Sequence, residues 1–261
     1  MKPNRARQSA SRPGDYAVGH MLMEFATPGI AKICEAAGLD FVLIDMEHGP
    51  LEIPQVARMI AWFKATGISP FVRIPASEYH FVARVMDAGA QGIMAPNVRT
   101  AEQARLLNDA MRYAPEGNRG LGLGTSHNDF VRPDALKYMA EANRENLLIC
   151  QIESTQALDN LDEIADVEGV DCLWVGHMDL TQSMGIVGQF EHPEFRSALA
   201  RVTQAARVRG KFAGIQPGSL QQAVDWLAVG YNLISYSADI GVYGAALASE
   251  VAQVRAQGRL L

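Results

Sequence analysis

The sequence predicts a closed (β/α)8 barrel, the TIM-barrel class, and three observations support this. Eight short apolar or β-branched runs alternate with eight longer segments of helical period from residue 16 onward. The runs are apolar almost without interruption, as expected of strands buried on both faces. The chain has 261 residues, 48% of them hydrophobic, which is enough for one large core and too few for two ordinary domains.

In order, "YAVGHMLM" (16–23) precedes the helical "PGIAKICEAAG" (28–38), "FVLIDM" (41–46) precedes "IPQVARMIAWFKATG" (53–67), and "PFVRIP" (70–75) precedes "EYHFVARVMDAG" (78–89). "GIMAPN" (92–97) leads into "TAEQARLLNDAMRYA" (100–114), and "LLICQIE" (147–153) into "TQALDNLDEIADVEG" (155–169). "CLWVG" (172–176), "FAGIQ" (212–216) and "NLISYS" (232–237) open the last three units. Glycines at 38, 67, 89, 169, 210 and 230 close helical segments, as C-caps do. Two stretches break the rhythm: the glycine-rich "PEGNRGLGLGTSHND" (115–129) with an extra helical stretch over 133–145, and "HMDLTQSMGIVGQFEHPE" (177–194). Both are expected on the face where barrel active sites are built. Residues 1–15 are expected to be a mobile basic tail ahead of a single barrel domain over 16–261.

Composition excludes several function classes. Charged residues are 20% of the chain and the formal net charge is -6, so no polyanion-binding surface is expected and nucleic acid is excluded as a partner. No apolar run reaches the roughly 18–20 residues of a membrane span. Cys34, Cys150 and Cys172 are odd in number, lie in apolar stretches and lack metal-ligand spacing. They read as buried thiols of a cytoplasmic protein.

Polar residues at the C-terminal ends of barrel strands point into a shared mouth. That places Asp45, Glu47 and His48 after strand two, Arg73 after strand three, Asn97 after strand four, Gln151 and Glu153 after strand five, and His177 and Asp179 after strand six. Glu153 and Asp179 sit one βα unit apart. Two neighbouring carboxylates favour a hard divalent cation between them, or else each caps the helix that follows, since "ESTQ" and "DLTQ" resemble cap sequences. His48 beside Asp45 has the form of a base with an orienting carboxylate; the alternative is a histidine in a turn. Arg73 requires an anionic partner, either a substrate oxygen or a structural carboxylate at Asp45 or Asp87. Arg119, in the glycine-rich stretch, is expected to reach inward from an active-site loop. His177 reads as a residue behind Asp179 or a simple packing residue rather than a further ligand. The five lysines, Lys2, Lys32, Lys64, Lys137 and Lys211, fall in the tail, in helices or at the start of strand seven, so no Schiff-base lysine is expected, and if the barrel does carbonyl chemistry a metal must supply the electrophile.

"DMEHGP", "VRIP", "DAGAQGIMAPNVRTAEQA", "RYAPEGNRG", "QIES" and "VGHMDL" occur in that order along the chain. Together they resemble the metal-dependent (class II) pyruvate aldolases of the HpcH/HpaI aldolase and citrate lyase family, over about residues 16–245. The resemblance implies a barrel of the phosphoenolpyruvate/pyruvate type. It also implies reversible cleavage of a 4-hydroxy-2-oxo acid to pyruvate and an aldehyde, in aromatic or sugar acid catabolism, through a pyruvate enolate held at Mg2+, Mn2+ or Co2+. Glu153 and Asp179 would bind the ion, Gln151, Asp179 and the backbone at Met178 would contact the 2-oxo acid, Arg73 would stabilise the enolate oxygen, and His48 with Asp45 would manage protons. A trimer or hexamer is implied, with Asp87 near subunit contacts; Glu47 has no assigned role. Two departures bear on specificity: His177 stands where relatives carry a proline or small residue, and "MLM" in strand one stands where many carry a tryptophan. The alternatives are a related lyase or decarboxylase acting on oxaloacetate or an acyl-CoA, and a barrel that binds a 2-oxo acid without turnover.

Overall fold

Residues 2–258 are described by the structure, a computed structural model. Eight parallel strands close on themselves in sequence order: β1 (Ala17–Leu22), β2 (Phe41–Asp45), β3 (Ser69–Arg73), β4 (Gly92–Ala95), β5 (Leu147–Ile152), β6 (Cys172–Val175), β7 (Phe212–Ile215) and β8 (Leu233–Ala238). Around them run α2 (Gly29–Ala36), α3 (Ile53–Lys64), α4 (Tyr79–Ala88), α5 (Ala101–Met111), α6 (Ala135–Glu145), α7 (Thr155–Asp159), α8 (Leu161–Ala165), α9 (His177–Ser183), α10 (Pro193–Val208), α11 (Leu220–Val229) and α12 (Asp239–Gly258). A further short helix, α1 (Arg5–Ser9), precedes β1.

Successive side chains on a strand face opposite sides, and both sides of these strands are apolar surroundings. Val42, Ile44, Val72, Ile93, Leu148, Cys150, Leu173 and Val175 pack outward in the large core beneath the helices. Phe41, Leu43, Phe71, Met94, Leu147, Ile149, Cys172 and Trp174 pack inward in the barrel's own core. This double burial explains the uninterrupted apolar runs. The same parity, continued to the strand ends, turns Asp45, Arg73, Gln151 and Glu153 toward the barrel axis. Large inward rings require small neighbours: a Cβ at Gly214 would overlap Trp174, and one at Gly19 would overlap Phe41.

Two expectations are corrected here. Residues 4–10 are not a mobile tail. Asn4, Ala6 and Ala10 are buried, and α1 closes the floor of the barrel. Its basic residues find the acids that precede two strands: Arg5 Nε donates to Asp40 at 3.0 Å and Arg7 Nη2 to Asp171 at 2.7 Å. Arg112 shares Asp171, at 2.5 Å. The charge that suggested solvation is in fact paired at the floor.

The glycine-rich stretch does not lie at the mouth either. It connects α5 to α6 and β5, and because helices return the chain to the N-terminal face, a segment that follows a helix starts at the floor. Arg119 is accordingly buried there. Its Nη2 pairs with Asp87 Oδ1 at 2.5 Å and its guanidinium lies 4.6 Å from the Tyr113 ring centroid. His127 joins them, its Nδ1 lying 3.2 Å from the Asp87 carbonyl oxygen. Only 177–194, which follows a strand, belongs to the mouth.

Candidate active site

Asp45 and Arg73 are register partners at the ends of β2 and β3. Their side chains therefore meet on the axis side without any loop to guide them. Arg73 Nε donates to Asp45 Oδ1 and Nη2 to Asp45 Oδ2, both at 2.7 Å, a bidentate fork with side-chain exposures of 8% and 0%. Arg73 Nη1 lies 2.9 Å from Glu47 Oε2. The fork uses two of its five N–H groups, Nη2 also faces Met21 Sδ at 4.0 Å, and the Glu47 contact is an ion pair in which the buried Oε2 has no hydrogen-bond partner. Burial opposes the guanidinium charge, but Asp45, Glu47 and Glu153 more than offset it and raise the Arg73 pKa.

Asp45 thus serves Arg73 and does not hold the His48 ring, contrary to the expected base and orienter. Its remaining acceptor capacity goes to backbone, the N–H of Glu47 at 3.0 Å and of His48 at 3.3 Å, and this shapes the turn. The His48 ring is 58% exposed, and its nearest acid is Glu47, with Nε2 3.9 Å from Oε2. Glu47, unassigned from the sequence, is the residue that links Arg73 to His48.

Across the mouth, Glu153 is buried and does not cap a helix. That position belongs to Ser154, whose hydroxyl accepts from Ala157 N–H. Glu153 Oε1 accepts from Asn97 N–H at 2.6 Å, and Oε2 from Gln151 Nε2 at 2.5 Å. Asn97 reaches that position through a left-handed backbone, φ +54°. Gly176, at the end of β6, gives the carboxylate its space, since a Cβ there would collide with Glu153 and Gln151. Neither Gly176 nor the Asn97 amide was singled out from the sequence, because a glycine that makes room and a backbone donor carry no chemical signature.

Met178 and Asp179 lie in the first turn of α9 and are exposed. His177 points away from them into an aromatic cluster, 5.1 Å from the Phe190 ring centroid and 5.5 Å from Trp226. Burial lowers its pKa to about 4, and its place against Phe190 and Trp226 makes it a packing residue of that cluster. Asp87 and Arg119, paired at the floor, take no part in the site.

Electrostatics define what the mouth lacks. Asp45, Glu47, Glu153 and Asp179 face a single guanidinium, an excess of three negative charges when all are ionised. Burial, then Glu47 and Asp179, raise Glu153 to about 7, against the Asn97 hydrogen bond and Arg73. Burial first, then Asp45 and Asp179, raise Glu47, against Arg73 and His48. Gln151 Oε1 is buried without a partner. Among the described residues, no three His, Cys, Asp or Glu side chains form a metal-holding cluster. The donor set that is present, the Glu153 and Asp179 carboxylates with the unpartnered Gln151 oxygen, has the hard-oxygen chemistry that suits a divalent ion such as Mg2+. The residues present fit such an ion.

The family profile described as HpcH/HpaI aldolase/citrate lyase matches residues 20–242. The chain belongs to this family. It is 34% identical over 248 residues to the 2-keto-3-deoxy-L-rhamnonate aldolase of Shigella boydii, covering 94% of this chain and 91% of the relative. The HpcH/HpaI aldolase of Desulfitobacterium hafniense superposes with a TM-score of 0.89 at 31% identity, covering 95% of each chain. An HpcH/HpaI aldolase/citrate lyase family protein of Burkholderia cenocepacia gives 0.87 at 32% identity, over 97% of this chain and 99% of that one. The barrel of this aldolase family is therefore shared along almost the whole chain.

The raised Glu153 pKa predicts a pH dependence. The folded protein binds this proton more tightly than the unfolded chain, so the contribution is complete below the unfolded value of 4.5 and is lost as pH rises to about 7. In chelator, denaturant stability should fall over that window, and Glu153→Gln should flatten the decline; an unchanged profile in the variant removes Glu153 as its source.

Proposed function

We propose that the protein is a divalent-metal-dependent aldolase that cleaves a 4-hydroxy-2-oxo acid to pyruvate and an aldehyde. The observation that carries this reading is the unbalanced acid cluster around Arg73 in the mouth of an aldolase-family barrel. Glu153, just past the end of β5, and Asp179, in the first turn of α9 after β6, would hold the ion. When bound, it supplies a Lewis acid that polarises the 2-oxo group.

The chain's own residues do the rest. Arg73 is fixed by Asp45 and Glu47, so its remaining N–H groups, one now facing only the Met21 sulfur, present preorganised donors to the oxygen that gains charge as the enolate forms. Gln151, held by Glu153, keeps one oxygen free toward the same space. The backbone at Met178 borders it on the α9 side. His48, on an exposed turn beside Glu47, takes the proton of the 4-hydroxyl group in cleavage and returns it in addition. Lys211, at the floor, donates to the carbonyl oxygens of Val167 and Val170, which supports a mechanism without a Schiff base.

The relatives' substrate, 2-keto-3-deoxy-L-rhamnonate, is the first to assay, with pyruvate release as the readout. Activity should vanish in EDTA and return with Mg2+, Mn2+ or Co2+. Metal affinity should rise between about pH 6 and 8 as Glu153 loses its proton; full turnover in chelator overturns the reading. His48→Ala should slow cleavage by about 10²–10⁴-fold and leave metal affinity unchanged, and equal turnover removes His48 from the reaction.

Self-association belongs to the same proposal. The 20-residue α12 is exposed throughout its described length beyond Asp239, and Ile240, Val242, Tyr243, Leu247, Val251 and Val254 are 40–69% exposed. An apolar helix of this length uncovered by its own barrel fits a homo-oligomer, a trimer or hexamer. Sedimentation velocity at micromolar protein should show a multimer; a monomer contradicts it.

A further inference from the structure

Three acids are buried to less than a tenth exposure among the described residues: Asp45, Glu153 and Asp239. The first two belong to the mouth chemistry. Asp239, where β8 passes into α12, has no part in it, yet both of its oxygens are engaged, and by backbone alone. Its Oδ2 accepts from three consecutive backbone N–H groups in the segment after β1, Met23 at 3.1 Å, Glu24 at 3.0 Å and Phe25 at 2.8 Å. Its Oδ1 accepts from its neighbour Ile240 N–H at 2.7 Å. Consecutive amides that converge on one point form an anion-binding nest, and here a carboxylate from the far end of the chain fills it.

The loop held this way forms a wall of the mouth. Met21, at the base, faces Arg73, and Met23 packs against the inward core of the barrel. On the side away from Asp239, the Met23 carbonyl oxygen lies against Gly49, where a Cβ would come within 2.8 Å, in the turn that carries Glu47 and His48. Above it, Phe25 packs edge-on against Tyr243 of α12 at 5.4 Å between centroids. The loop is therefore wedged between the start of α12 and the catalytic turn. The side chains this wall turns inward, Met21 and Met23, carry no charge. The polar half of a 2-oxo acid is recognised by Arg73, Gln151, Glu153 and Asp179, which leaves the two methionines for the variable, unreactive part of the other fragment. Methionine adapts its shape more readily than other apolar side chains, so the placement of this wall depends on its backbone.

We propose that Asp239 is a positioning residue: through the nest at residues 23–25 it fixes the methionine wall against which the aldehyde fragment is received, and so sets acceptor selectivity without touching substrate. This rests on the aldolase reading.

Two variants and two independent readouts test it. Asp239→Asn keeps the volume and removes the charge and one acceptor; Asp239→Ala removes both acceptors. By hydrogen-exchange mass spectrometry of the full-length protein, amides 23–25 should exchange at least about tenfold faster in both variants, with β2 unchanged. In aldol addition, the KM for the aldehyde should rise about tenfold in Asp239→Asn, while proton exchange at pyruvate C3, measured without aldehyde, stays within about twofold of the parent protein. Unaltered protection of residues 23–25 overturns the proposal, as does a parallel fall of pyruvate exchange and aldehyde use. A parent protein that exchanges no pyruvate proton overturns the aldolase reading, and the amide protection still decides the role of Asp239.

Discussion

The mouth of the barrel depends on one buried ion pair, the fork of Arg73 on Asp45. Both residues end strands in direct register, so the pair costs no loop ordering, and its two parallel hydrogen bonds fix the guanidinium plane. A buried pair of this kind contributes little net stability, because desolvation offsets most of the attraction. Its effect is positional. It directs the remaining N–H groups of Arg73 and, through the backbone bonds of Asp45, shapes the turn that places Glu47 and His48.

Charge is distributed unevenly between the two ends of the molecule. At the floor, Arg5 and Arg7 from α1, Arg112 and Arg119 are matched to Asp40, Asp171 and Asp87. At the mouth, four carboxylates share one arginine, and the cost appears as carboxyl groups held above their ordinary range. Balanced charge marks the end that holds the barrel shut. Unbalanced charge marks the end where the proposed cation and anionic substrate would bind.

Much of the site was legible in the sequence because a barrel makes position nearly equivalent to order. Once the eight runs were assigned, strand ends identified Asp45, Arg73, Gln151, Glu153 and Asp179 as neighbours. The misplaced elements share one cause. Arg119 and its glycine-rich stretch were read as a mouth loop on composition, but such a loop has the same composition at either end, and the strand or helix before it decides the end. The mobility expected of residues 1–15 fails for 4–10 because the acids that pair with Arg5 and Arg7, Asp40 and Asp171, lie far along the chain. For His177 the sequence leaves open a place behind Asp179 or simple packing, and the contact of its ring with Phe190 and Trp226 decides for packing.

The sequence by itself determined the fold class, the strand order and which polar residues follow each strand, because alternating apolar periodicity and chain direction are local properties. Only the tertiary structure decided which of them touch. That Asp45 serves Arg73 and not the His48 ring, that Glu153 is freed from capping by Ser154 and housed by Gly176, and that Asp239 holds the backbone after β1 are all contacts between segments distant in sequence. Their partners are set by register and by the closure of β8 on β1, and closure is a property of the whole ring.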